Sequence, residues 1–290
     1  MKRITTLLAI TAATIVSAFG QPVINDGGVL NAASYARPGL PNYGVGQGSL
    51  FVVFGQRLGP ASLAQVGAFP LTASVGGTSI KVTVAGTTVD ALMIYSLAGQ
   101  VAAVMPSNTP VGTGTLTVTY NGQTSATAAV RVVRSAFGTF SVNQAGSGPG
   151  IVQNVNSESD RPVNALTKSA RPGQVMILWG TGLGPVTGNE AGGPVVGDLG
   201  GNVEVYVGGK LANVTYKGRS GCCAGIDQIV FTVPADVDGC YVPVVVKTGD
   251  LVSNFTTMSV ARSGNACSDP NGITSQDLQT AERNGSFSAG

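Results

Sequence analysis

The segment Gly48-Ser49-Leu50-Phe51-Val52-Val53-Phe54-Gly55-Gln56-Arg57-Leu58-Gly59-Pro60 reappears 125 residues later as Gly173-Gln174-Val175-Met176-Ile177-Leu178-Trp179-Gly180-Thr181-Gly182-Leu183-Gly184-Pro185. Both read G-x, an apolar run, then G-x-x-L-G-P. The correspondence continues downstream. Val84-Ala85-Gly86 answers Val207-Gly208-Gly209, and Gln100–Pro106 answers Gln228–Pro234. Upstream, Gly28-Val29-Leu30-Asn31 answers Gly150-Ile151-Val152-Gln153-Asn154. The offset drifts by a few residues, as loop insertions produce. A chain that repeats one unit of about 110 residues builds one architecture twice. Its 290 residues accommodate two such units.

Each unit reads as short strands. Leu50–Phe54 is apolar throughout and bounded by glycine, which predicts a strand buried on both faces. Ile80–Val84 and Val203–Val207 alternate, which predicts half-buried strands leading into turns at Ala85-Gly86 and Gly208-Gly209. Thr115–Tyr120, Asn121-Gly122 and Thr127–Val133 form a hairpin signal, because a type I′ turn takes positive φ at both central residues. Cys240–Lys247, Thr248-Gly249-Asp250 and Val252–Val260 repeat it. About seven short strands per unit predict an all-β chain of two tandem immunoglobulin-like β-sandwiches. The expected organisation is a signal peptide over 1–20, sandwiches over 21–134 and 150–265, a linker over 135–149 and a polar tail over 266–290. Phe137, Phe140 and Val142 give the linker means to dock on a sandwich edge. In the tail, Thr274–Arg283 predicts one short helix capped by Ser275 or Thr274.

Composition narrows the chemistry. Charged residues are 10% of the chain, glycines number 42, and histidine is absent. Without histidine there is no His-based triad, no His-ligated zinc and no Cys–His nucleophile pair. Carboxylate-only, Ser–Lys and Tyr-based chemistries survive. A net charge of +2 with no basic cluster excludes the phosphate-binding stripe that nucleic acids require. No apolar run after the first twenty residues is long enough to cross a bilayer.

Lys2 and Arg3, an apolar stretch to about Val16, and the small-x-small end Ala18-Phe19-Gly20 read as a secretion signal cleaved before Gln21. In an oxidising compartment the four cysteines, Cys222, Cys223, Cys240 and Cys267, are disulfide candidates. One pairing joins Cys240 to Cys267 beside a vicinal Cys222–Cys223 pair. The other sends Cys222 and Cys223 separately to Cys240 and Cys267. The spacing lacks the CxxC knuckles of a zinc site.

In order, Gly28-Val29-Leu30-Asn31-Ala32-Ala33-Ser34, Gly48–Pro60, Gly180-Thr181-Gly182-Leu183-Gly184-Pro185 and Ala224–Pro234 cover most of the chain after residue 20. With these motifs the chain resembles the C-terminal repeat family of exported Acidobacteria proteins of the Solibacter type, related to the IPT/TIG branch of immunoglobulin-like folds. The resemblance implies a sandwich fold and an extracytoplasmic site of action, and brings no catalytic residues with it.

Other motifs carry little chemistry. Gly180–Gly184 lacks GxGxxG spacing and the Lys-Ser/Thr of a phosphate loop, and reads as a tight turn. Asp236-Val237-Asp238-Gly239 alternates carboxylates but lacks the closing Glu of a calcium loop. Glu158 and Asp160, beside Arg161, read as surface charges. Trp179 stands at the position of Phe54 and reads as core. Tyr35, Tyr43, Tyr95, Tyr206 and Tyr216 are the candidates for exposed loop contacts. No metal, cofactor or catalytic residue is expected. The expectation is a secreted, non-catalytic binding or structural module facing an extracellular protein or polysaccharide. Its alternatives are a carbohydrate-binding accessory module and, behind that, a carboxylate-dependent hydrolase.

Overall fold

The computed structural model describes residues 20–267, 269 and 274–285. The expected export signal therefore lies almost wholly outside the described residues. The chain is an all-β protein of two tandem immunoglobulin-like sandwiches. In the first, one sheet orders its strands Val23–Asn31, Leu50–Gln56, Gln100–Val104, Leu92–Leu97 and Ala64–Gln65. The facing sheet orders Val45–Gly46, Ala128–Val133, Gly112–Tyr120, Thr78–Val84 and Ser74–Val75. Val45–Gly46 pairs in parallel with Ala128–Val133, and the main strands pair antiparallel.

The second sandwich repeats the main strands of the first. Val152–Asn154, Val175–Thr181, Asp227–Thr232 and Asn213–Arg219 form one sheet, and Thr256–Val260, Gly239–Thr248 and Val203–Val207 lie in the other. The register repeats as well. Asn31 faces Phe51 as Asn154 faces Met176, and Leu50 faces Val104 as Val175 faces Thr232. The parallel contact Val45–Val132 recurs as Ala170–Val260. The duplicated sequence is thus a duplicated hydrogen-bond ladder.

Alternation builds both cores. Along Thr78–Val84, Ile80, Val82 and Val84 point inward against Phe51, Val53, Met93, Leu116 and Val118. The second core collects Met176, Leu178, Val205, Val207, Ile229, Phe231, Val244 and Val246. Asn121 and Gly122 take φ of 47° and 78°, as the type I′ turn requires. Leu50–Gln56 is covered on both faces: Phe51 and Val53 enter the core, while Leu50, Val52 and Phe54 meet a second apolar layer outside it.

Two sequence expectations change. Trp179 is not in the core. It sits half-buried on the outer face of its sheet, its indole N–H donating to Gln153 Oε1 at 2.8 Å. It corresponds to Phe54, which also faces outward, because position 54 alternates with the inward Phe51 and Val53. The segment 135–149 is also more than a connection. Gly138–Thr139 pairs with Val175–Thr181, Gly148–Pro149 pairs with Thr256–Val260, and Phe137 is buried in the second core. Val142 stays exposed.

Cys240 is bonded to Cys267 and Cys222 to Cys223. The former ties the tail to the second sandwich, with Cys267 N–H donating to Leu166 O at 2.8 Å. The helix Ser275–Asn284 follows, capped by Thr274 in a capping box with Asp277.

Candidate functional site

The two sandwiches meet end to end. The first contributes the Gly46–Leu50 loop, Asn31 and Ser107. The second contributes Thr181 to Ala191 and the loop from Arg219 to Asp227.

Asn31, 1% exposed, closes its own turn by accepting from Ala33 and Ser34 N–H at 2.8 and 3.0 Å. Its amide N–H groups then donate across the junction to Ala136 O and Thr181 O, at 3.0 and 3.3 Å. Thr181 Oγ1 accepts from Leu50 N–H at 2.8 Å and donates to Gly225 O at 2.5 Å. Glu190 accepts from Ser107 N–H at 2.5 Å and from Ser107 Oγ at 2.9 Å, while Ser107 Oγ accepts from Val186 N–H at 3.0 Å. Leu71, Val104 and Ala224 form an apolar cluster across the same contact.

At the centre Arg219 and Asp227 pair, with side chains 2% and 0% exposed. The second Arg219 nitrogen donates to Gly184 O at 2.9 Å, and Asp227 Oδ2 accepts from Leu183 N–H at 2.7 Å. Burial pushes the Asp227 carboxyl up to about 6, with Arg219 and the Leu183 and Gly182 amides pulling the other way. Gly48, at φ +69°, leaves the space Arg219 occupies: a Cβ there would lie 2.6 Å from Arg219 Nη2. The repeat makes this arrangement specific to one copy. Across the sheet Arg219 faces Asp227, and Gly218 faces Gln228 as Leu97 faces Gln100. Ala98 and Gly99 therefore occupy the matching turn of the first sandwich.

Beside the junction lies an aromatic cleft of about 260 Å³. The first sandwich lines it with Tyr35, Val52, Tyr95 and Ala102, and the following segment with Phe140 and Ile151. Tyr35 also packs on Phe54, ring centroids 6.0 Å apart. Burial raises the phenol of Tyr95 to about 12, with Tyr35 adding to it, and burial raises Tyr35 and Tyr43 as well.

Of the five tyrosines picked out in the sequence, Tyr35 and Tyr95 line this cleft, and Tyr43 packs in the same outer apolar layer. They are half-buried in the outer apolar layer rather than free on loops. Tyr206 and Tyr216 lie in strands of the second sandwich, donating to Glu204 Oε2 and Arg219 O at 2.5 and 2.6 Å. The remaining candidates are charge-paired or on the surface. Asp236 pairs with Lys210 at 2.9 Å and Asp238 with Arg262 at 2.7 Å. Asp160 accepts from Asn156 at 2.8 Å, with Glu158 and Arg161 exposed nearby. Among the described residues no group of three metal-ligating side chains gathers, and no helix is long and apolar enough to cross a membrane. Sequence reading missed Asn31, Arg219, Asp227 and Glu190.

No protein-family model and no curated protein matches the chain. Among solved structures it is similar to SGBP-B of the Bacteroides ovatus mixed-linkage glucan utilization locus, in complex with a mixed-linkage heptasaccharide. Identity is 13% over 75% of this chain and 45% of that one, with a TM-score of 0.33. It is similar to domains 5–6 of the S-layer protein SbsC, at 12% identity over 83% of this chain and 99% of that one, TM-score 0.24. It is also similar to the γ-CGTase of Alkalophilic bacillus clarkii, at 15% identity over 74% of this chain and 23% of that one, TM-score 0.27. The chain thus spans less than half the length of SGBP-B and less than a quarter of the γ-CGTase. These TM-scores assign it no ligand and no activity.

Proposed function

We propose that the chain is an exported, non-catalytic immunoglobulin-like module, acting at the cell surface or outside it as a rigid spacer or adhesion element. The observation that carries this reading is the junction. A buried Asn and a doubly bonded carboxylate that bond across it, with Gly48 fitted over the buried Arg219, hold the two sandwiches together, which suits a part that holds other surfaces at a set distance. Two disulfides fit an oxidising compartment. On its sequence motifs, membership in the Solibacter-type exported repeat family belongs to the same proposal. A hydrolase built on two carboxylates gains little support, since Asp227, the carboxylate withdrawn from water, is already committed to Arg219.

The cleft favours a second reading, a carbohydrate-binding accessory module, because Tyr35, Tyr95 and Phe140 offer ring faces and edges to a sugar. Small-angle scattering of the purified chain tests the first reading, with one rigid end-to-end body expected. A two-body ensemble with a free hinge refutes it. Binding to a cell-wall polysaccharide array, lost on Tyr35→Ala or Tyr95→Ala, moves the second reading ahead.

A further inference from the structure

The end of the first sandwich that docks on the second has a counterpart in the second sandwich, at its far end. The ladders fix the equivalences. Gly48 N–H donates to Met105 O at 2.8 Å as Gly173 N–H donates to Val233 O at 2.9 Å, so Gly46 corresponds to Arg171 and Ser107 to Ala235. Both changes fall on residues through which the first sandwich makes its docking contacts. At Gly46 a Cβ would sit 3.2 Å from the Cα of Gly182, so the two backbones meet only because no side chain intervenes. Arg171 places a long cation at that point. Ala235 lacks the hydroxyl through which Ser107 engages Glu190 and Val186.

What the far end offers instead is an open polar cleft of about 610 Å³, lined by Asn156, Lys168, Ser169, Arg171, Gln174 and Asn265 among others. Its polar groups are held in place. Arg171 N–H donates to Gln174 Oε1 at 2.9 Å, Gln174 Nε2 to Asn156 Oδ1 at 2.8 Å, and Arg171 Nη2 to Asn265 Oδ1 at 3.3 Å. Among the described residues neither Lys168 nor Arg171 is in an ion pair, although only 10% of the chain is charged. Two cations on a rim of amides and hydroxyls match a ligand that carries carboxylates among many hydroxyl groups.

We propose that this far end of the second sandwich binds an acidic, uronate-bearing polysaccharide. Arg171 and Lys168 take the carboxylates, and Asn156, Gln174 and Asn265 take the ring hydroxyls. The site is distinct from the aromatic cleft and goes beyond the spacer reading. Scattering tests rigidity and titration tests this site, so either can fail alone.

The test is calorimetric titration of the purified full chain with oligogalacturonate, with its methyl ester, and with poly-glutamate of equal charge. The expected result is saturable binding to oligogalacturonate, weakened at least tenfold by Arg171→Ala, further by adding Lys168→Ala, and abolished by esterification. Both side chains are exposed, so an unchanged melting transition shows that the variants fold. Absence of binding to oligogalacturonate overturns the proposal. So does undiminished binding by Arg171→Ala. Equal affinity for poly-glutamate also overturns it, and reassigns the cleft to acidic peptide or to bare charge attraction.

Discussion

Replacing Arg219 by Met isolates what the buried pair contributes. The substitution keeps an unbranched side chain but removes the cation, leaving Asp227 fully buried with the Leu183 and Gly182 amides as its remaining donors. Breaking a buried pair from one side destabilises by about 3–5 kcal/mol. At roughly 3 °C per kcal/mol, that is a fall of about 9–15 °C in the melting point of the second sandwich. The chain's one Trp, Trp179, lies in that sandwich and reports on its unfolding. The deficit depends on pH, and the wild type sets the window. Asp227 holds its proton up to about 6 in the folded chain, against 3.8 as its ordinary value. As pH rises from about 4 through 6, the folded chain must ionise a buried group that the unfolded chain has already ionised. This group's contribution to stability is therefore greatest below about pH 4 and falls by about 3 kcal/mol across the window. Arg219→Met raises the folded value further, so its deficit is full at pH 7.5 and shrinks by pH 5. Asp227→Asn flattens the wild-type slope between pH 4 and 6. A variant within about 1 kcal/mol of wild type at pH 7.5, or one with the same deficit at pH 5, refutes the reasoning.

Three further outcomes are expected. Gly48→Ala places a methyl 2.6 Å from Arg219 Nη2 at φ +69°, and destabilises the junction by about 1–3 kcal/mol; limited proteolysis at 134–136 faster than in wild type reports it. Reducing Cys240–Cys267, which closes a 27-residue separation, lowers the second transition by about 3–4 kcal/mol in a calorimetric scan and leaves the first, cysteine-free sandwich in place; equal shifts in both contradict this. Thr139 Oγ1 is buried without a partner, so Thr139→Val raises the midpoint of denaturant unfolding by about 1 kcal/mol, and a fall would show that the hydroxyl is used.

The strands and their duplication were legible because a sheet writes itself locally. Ile80, Val82 and Val84 alternate in sequence as they do in burial, and Asn121-Gly122 names its own turn. Trp179 was misplaced because Val175–Thr181 carries apolar residues on both faces, so hydrophobicity alone could not tell core from outer layer. The junction was hidden for a different reason. Asn31 bonds to residues 105 and 150 positions away, and Arg219 and Asp227 are two ordinary charges until folding buries them together. One signal was available: subtracting the repeats. Where the first copy has Ala98 and Gly99, the second has a charged pair. Where the first has Gly46, the second has Arg171. At these two places the copies disagree because the equivalent surfaces meet different neighbours.

Docking sets the bare backbone of Gly46 against Gly182 and that of Gly48 against Arg219, so the two faces of the joint are not interchangeable. Transposing them would set Arg171 against Arg57, the counterpart of Gly182, so that two cations meet where two glycine backbones now touch. The joint therefore behaves like a keyed coupling: its two faces differ, and the difference gives the pair a polarity.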